Sequence, residues 1–177
     1  QMFRDEGIPV WDADAAVHRL YERGGAAVGP VGIAFPEAVV DGAVSRDALK
    51  TIIAADPAAL GRLEKIVHPL VAQDRAAFIA ANPAPIVVVD IPLLYETGAE
   101  TWLDSVLVVT ASPEAQRARV LARPGMTEAQ FQAILSRQIP DAEKRRRADH
   151  LIETTTLEEA RAKVRALIAE LKDKADA

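Results

Sequence analysis

The chain has 177 residues, half of them apolar, with a formal net charge of −5 and a pI near 5.3. That size supports one sizeable core, and the acidic balance argues against a nucleic-acid partner, which calls for a basic face. The absence of cysteine excludes a disulfide framework and a thiolate zinc site and fits a reducing cytoplasm; no signal peptide is readable, and the most apolar stretch, Pro85 to Tyr95, is too short to span a bilayer.

Gln1 to Glu6 reads as the last turns of a helix that ends at Gly7. A helix tail without a beginning is expected to have sequence upstream of Gln1; a frayed native terminus is the alternative. Ile8 to Asp12 is a short apolar run ending in Asp12-Ala-Asp14, the profile of a buried strand whose carboxyl end opens into a loop. Val17, Leu20 and Tyr21 then predict a helix stopped by Gly24-Gly25. Residues 26 to 44 are punctuated by Gly and Pro and hold no long periodic segment. Ser45 caps a predicted helix through Ile53, and Asp56-Pro57 opens another that runs to His68-Pro69. A third is expected over Leu70 to Ala81, so three consecutive helices form an insertion.

Pro85 to Asp90 is the clearest strand, and Val106 to Thr110 is a second; both read as buried on both faces of a parallel sheet. Ser112-Pro-Glu114 starts a helix to about Ala122. Thr127 to Gln130 is a capping box that opens a helix to about Gln138. Leu151 to Glu153 is a last short strand. A second capping box, Thr156 to Glu159, precedes a helix with Val164, Leu167, Ile168 and Leu171 on one stripe. Strands alternating with helices define an α/β sheet carrying one helical insertion.

Ligands of open α/β sheets gather outside the carboxyl ends of the strands, where Asp12, Asp14 and Asp90 fall. A carboxylate there can accept a hydroxyl proton or hold magnesium-bound water; Asp12 or Asp14 can equally cap the following helix. Arg119 and Arg123 share one helix face and lead into Pro124-Gly125, a natural hinge, with Arg137 and Lys144 to Arg147 beyond. Guanidinium groups near a mobile loop suit phosphate oxygens, although a solvated charged helix explains the same pattern. His68, next to a proline at a helix junction, reads more readily as structural than as catalytic. His18 and His150 have no metal-ligand spacing, no serine stands in a nucleophile elbow, and GxxxxGK[ST] is absent from the 177 residues.

Together these segments closely resemble the dephospho-coenzyme A kinases. The matching words are Gly7-Ile-Pro-Val-Trp-Asp-Ala-Asp14 with His18, Arg46-Asp-Ala-Leu49, Leu63-Glu-Lys-Ile-Val-His-Pro-Leu70 and Val89-Asp-Ile-Pro-Leu-Leu-Tyr-Glu-Thr-Gly98. Val108 to Arg117, Arg119 with Arg123, Arg137-Gln138, Lys144-Arg145 and Ala148-Asp149 complete the series in family order. The resemblance implies a P-loop kinase fold with helices on both faces of a parallel sheet. It implies ATP as co-substrate with Mg²⁺, and transfer of the γ-phosphate to the ribose 3′-hydroxyl of dephospho-CoA. By matching position, Asp14 is the expected general base and Arg119 the arginine that meets the transferring phosphoryl group, with Arg123 and Arg137 at a lid over about 119–148. A helical acceptor-binding subdomain over about 15–83, with Asp12, His18, Arg46 and His68, and with Leu93 and Glu96 beyond it, is expected to hold dephospho-CoA. No nucleic acid, membrane or obligate protein partner is implied.

In this family a phosphate loop and a central first strand precede the residues with which this chain starts. The resemblance therefore implies that the chain as given lacks that strand and has little kinase activity and lowered stability. Another small-molecule P-loop kinase, such as a nucleoside monophosphate kinase, is the rival reading. A non-catalytic acceptor-binding module and a plain gene fragment are the others.

Overall fold

The computed structural model describes residues 1–175. A short helix, Met2–Asp5 (α1), is closed by Gly7 at φ 75°, a left-handed conformation that glycine adopts without a Cβ clash. Strand Val10–Asp12 (β1) leads straight into helix Ala13–Tyr21 (α2). Trp11 is buried in β1, and Ala16, Leu20 and Tyr21 form the buried stripe of α2. The turn that follows brings Gly25 against the helix end. A Cβ on Gly25 would stand 2.3 Å from the Leu20 carbonyl oxygen and 2.6 Å from that of Arg19, both backbone atoms. Gly25→Ala is therefore expected to destabilise the protein by about 2 kcal/mol. That corresponds to a melting midpoint lower by about 4–8 °C; an unchanged midpoint would contradict the close approach.

Residues 26–44, despite their glycines and prolines, do fold. They form helix Val28–Ala34 (α3), a 3-10 turn at Pro36–Ala38, and a hairpin of Val39–Val40 (β2) with Ala43–Val44 (β3). Pro30 falls in the first turn, where its missing N–H has no intrahelical partner to lose. Val31, Phe35 and Ala38 are buried with Leu20 and Tyr21, so tertiary packing holds a helix that local propensity disfavours.

Ser45 caps Arg46–Ala55 (α4), accepting from the Ala48 N–H at 3.2 Å. Asp56 Oδ1 accepts from the Ala58 N–H at 3.0 Å where Ala58–Ala81 (α5) begins. The expected break at His68-Pro69 does not occur: α5 runs for 24 residues through Pro69, so two helices stand here rather than three. An internal proline costs about 3 kcal/mol in a free helix, through a lost hydrogen bond and a ring clash. Here Ala59, Leu63 and Val67 before it and Leu70 and Val71 after it pack on one cluster, and that unbroken contact offsets the cost.

Val88–Asp90 (β4) pairs in parallel with β1, with Val10 opposite Val88, Trp11 opposite Val89 and Asp12 opposite Asp90. After a 3-10 turn at Ala99–Trp102 come Leu107–Thr110 (β5), Pro113–Leu121 (α6), Glu128–Leu135 (α7), Asp141–Arg147 (α8), His150–Glu153 (β6) and Leu157–Ala175 (α9). β5 and β6 pair in parallel from Leu107 opposite His150 to Thr110 opposite Glu153. Neither β4 nor β5 is buried on both faces as the sequence predicts: Val88 and Val89 are half-buried, Asp90 is exposed, and Val109 is 61% exposed. Each of these strands has one hydrogen-bonded neighbour among the described residues, so part of its surface meets solvent.

The expected caps hold. Ser112 accepts from the Ala115 N–H at 3.2 Å, and Thr127 and Gln130 complete a reciprocal capping box. The second expected capping box is half formed: Thr156 accepts from the Glu159 N–H at 3.2 Å, but the Glu159 carboxylate takes its hydrogen bond from the Thr155 hydroxyl and not from the Thr156 N–H. α7 ends at Leu135, short of Gln138. α8 is not legible beforehand, because Asp141-Ala-Glu-Lys-Arg-Arg-Arg147 has no apolar period; its acids first and bases last follow the helix dipole. Val164, Leu167 and Ile168 form the buried stripe of α9, with Leu171 half-buried.

Residues 7–91 form one compact unit; residues 1–6 and those from Pro92 onward form the other. Among the described residues no helix is long and apolar enough to cross a membrane.

Candidate active site

In the unit of residues 7–91, the parallel register sets Asp12 opposite Asp90, so two carboxylate-bearing residues end their strands at one edge. Asp12 is the N-cap of α2, with φ −127°, ψ 120° and Oδ1 accepting from the Ala15 N–H at 2.9 Å. Asp14 stands in the first turn, exposed, and makes no hydrogen bond or ion pair among the described residues. Of the two, Asp12 takes the cap, and the oxygens of Asp14 make no bond among the described residues. One turn on, exposed His18 lies 3.5 Å from Glu22 Oε1, so Asp14, His18 and Glu22 share one face at i, i+4 and i+8.

Arg46 is the first residue of α4, and its guanidinium lies over the Tyr21 ring at 5.9 Å, within cation–π reach. Burial raises the Tyr21 hydroxyl above its usual titration range, and the charge of Arg46 opposes that rise. His68 is exposed in the middle of α5, not at a helix junction. Asp74 Oδ1, on the same helix, accepts from Trp11 Nε1 and from Arg19 Nη2, each at 2.7 Å. It thereby ties β1 and α2 to α5, a role that no local pattern announces.

The other unit holds the basic constellation. Arg119, on α6, donates from Nη1 to the Thr154 hydroxyl at 2.7 Å and from Nη2 to the Thr154 carbonyl at 2.9 Å. Two of its five N–H donors are used in this way and the rest stay available. Thr154 in turn is bound to the carbonyl of Thr110, the last residue of β5, through its hydroxyl at 2.9 Å and its N–H at 2.8 Å. The Thr110 hydroxyl donates to Asp141 Oδ1 at 2.8 Å and accepts from Arg145 Nη2 at 3.0 Å. Partial burial works to raise the Asp141 carboxyl, but hydrogen bonds from Arg145 and Thr110 outweigh it and hold the group below its ordinary range.

Arg123 and Arg137 are exposed, the first beside Gly125 at φ 76° and the second just past α7. Leu93 is exposed at φ 54°, an uncommon conformation for a branched side chain, and its carbonyl accepts from both the N–H and the hydroxyl of Thr97. Glu96 Oε1 accepts from the Ile139 N–H at 2.8 Å, with Lys144 Nζ 3.9 Å away. Arg147 pairs with Glu100 and lies over the buried Tyr95 ring at 4.3 Å.

The carboxylates, His18, Arg46 and His68 therefore belong to one unit; Leu93, Glu96 and the three arginines belong to the other. Thr110, Asp141 and Thr154, which bond around Arg119, and Asp74, which bonds Trp11 and Arg19, are not among the site residues that the sequence reading names. Their pairings span 31 to 63 residues. The one local signal is a polar residue at a strand end, seen in Thr110 and in Thr154 just past β6.

The parallel strand pairs and the helices between them make an α/β fold, and the relatives it matches make it that of an ATP-dependent phosphotransferase. A family model described as Dephospho-CoA kinase matches residues 1–159. A dephospho-CoA kinase of Cereibacter sphaeroides is 64% identical over 176 residues, covering 99% of this chain and 89% of its own. One from Ruegeria pomeroyi is 58% identical over 172 residues, covering 97% and 87%. The chain belongs to the dephospho-CoA kinase family. A crystal structure of a Thermus thermophilus protein superposes with a TM-score of 0.82 at 37% identity, covering 96% of this chain and 88% of that one. The dephospho-CoA kinase of Campylobacter jejuni, at TM-score 0.68 and 24% identity over 97% and 89%, shares the fold.

Proposed function

We propose that the protein transfers the γ-phosphate of ATP to the ribose 3′-hydroxyl of dephospho-CoA, the last step of coenzyme A synthesis. The observation that carries this reading is the division of labour at the first strand: Asp12 caps α2, leaving Asp14 exposed and unpaired among the described residues. In the reaction the 3′-oxygen forms a bond to the γ-phosphorus, and the bond from that phosphorus to the β–γ bridging oxygen breaks. The electron pair leaves on ADP, and the hydroxyl proton passes to the Asp14 carboxylate. Arg119 stabilises charge on the transferring group, and Arg123 and Arg137 serve the nucleotide side from a lid over about 119–148.

Asp12, His18, Arg46 and His68, within a helical subdomain over about 15–83, hold the acceptor together with Leu93 and Glu96. Magnesium fits the oxygen donors present: exposed Asp90, in register with Asp12, would hold it through water. Among the described residues no group of three or more His, Cys, Asp or Glu could hold a metal, and a cation carried on phosphates needs only one or two carboxylates. When bound with ATP it neutralises charge on the phosphate oxygens. A cytoplasmic setting agrees with the lack of cysteine, and the net charge of −5 with the lack of a nucleic-acid partner.

A coupled ADP-release assay on the protein expressed from its complete reading frame tests this. Turnover is expected with dephospho-CoA and not with AMP or CMP. Preference for a nucleoside monophosphate would instead support the rival kinase, and binding of dephospho-CoA without turnover would support the binding module.

A further inference from the structure

An exposed arginine on a helix samples many rotamers, yet only one of them places its guanidinium against a transferring phosphoryl group. Arg119 is exposed and lies on a helix without a buried residue, so its own helix does not select that rotamer. The selection comes from Thr154. Both Nη groups of Arg119 donate to it, at 2.7 Å to the hydroxyl and 2.9 Å to the carbonyl. The single hydrogen of the Thr154 hydroxyl points to the Thr110 carbonyl at 2.9 Å, which turns the oxygen lone pairs toward Arg119. Thr110 is itself fixed by Asp141 and Arg145.

We propose that Thr154 is a positioning residue for phosphoryl transfer, acting through Arg119; this rests on the role given to Arg119 above. The geometry also separates positioning from stability. The Thr110 carbonyl takes a second bond from the Thr154 N–H at 2.8 Å, so losing the hydroxyl leaves no carbonyl unpaired. Valine has nearly the same shape as threonine and keeps the backbone carbonyl contact to Arg119.

The test is steady-state kinetics of Thr154→Val, Thr154→Ser, Arg119→Ala and the Arg119→Ala/Thr154→Val double variant, each with its melting midpoint, in protein from the complete reading frame. Thr154→Val is expected to lower kcat about tenfold and move KM for either substrate by less than about twofold, because the contact it removes orients a group used in the transition state. Serine should restore kcat to within about twofold, since it keeps the hydroxyl. Arg119→Ala should lower kcat about 100-fold or more, and adding Thr154→Val to it should change nothing further. A normal kcat in Thr154→Val beside an impaired Arg119→Ala overturns the positioning role and leaves Arg119 standing. Additive losses in the double variant, or failure of serine to restore kcat, overturn it as well. Normal kcat in both single variants overturns the reading of Arg119 itself. Should the valine variant not fold, Thr154→Ala carries the same expectations.

Discussion

Asp14→Asn, in protein from the complete reading frame, is expected to lower kcat about 10²–10⁴-fold while leaving dephospho-CoA affinity nearly unchanged, because an amide is isosteric with the carboxylate but cannot take the proton. The side chain is exposed in the first turn of α2 and has no partner among the described residues, so the substitution removes no contact that holds the helix. Asp12→Asn supplies the contrast. Asparagine is as good an N-cap as aspartate, so the bond to the Ala15 N–H survives and α2 keeps its start. The Asp12 variant should therefore retain far more turnover than the Asp14 variant. Kinetics together with calorimetric titration of dephospho-CoA decide the matter; an unchanged kcat in Asp14→Asn removes that residue from the chemistry.

Trp11→Ala is the substitution expected to cost most stability, about 3–5 kcal/mol, the range for a large buried aromatic replaced by a methyl group. The ring is 2% exposed, its Nε1 donates to Asp74 at 2.7 Å, and Arg75 lies over its face at 6.0 Å. Truncation opens a cavity and also removes one of the two side-chain donors to Asp74. Trp11→Phe keeps much of the ring and loses the indole donor, so it should cost less, about 1–3 kcal/mol. Urea denaturation of the three proteins checks the order. A loss below about 1 kcal/mol for the alanine variant would mean that β1 is not anchored through this side chain.

Much of the fold was legible because its signals are local. Ser45, Asp56, Ser112, Thr127 and Thr156 all accept the helix-start N–H groups that their spacing predicts. The β-branched runs at residues 86–90 and 106–110 are strands in parallel pairs, although shorter and more exposed than their composition implies. Misreadings fall where packing overrides propensity. α3 contains Gly29, Pro30 and Gly32 and is held by Val31 in the core; α5 passes through Pro69 on an unbroken apolar contact. At the site, the Asp-Ala-Asp word located the carboxylates but could not say which one caps the helix, since that depends on the φ and ψ of Asp12. The partners Thr154 and Asp74 were invisible for a different reason: they meet Arg119 and Trp11 across 35 and 63 residues.

Thr110 has a mechanical consequence beyond the orientation of one arginine. Its carbonyl holds Thr154, and through it Arg119; its hydroxyl holds Asp141 and Arg145 of α8. The chain between Arg119 and Arg145 thus departs from and returns to a single post at the end of β5. With both ends tied at one post the segment is a closed loop, and inside it the Ile139 N–H is bonded in addition to Glu96. Gly125, near one foot, holds a left-handed turn at φ 76° that a residue with a Cβ rarely adopts. The meeting of the two ends is settled by the hydrogen bonds of Thr110, so the entropy of closing this loop is met by one residue at the end of one strand.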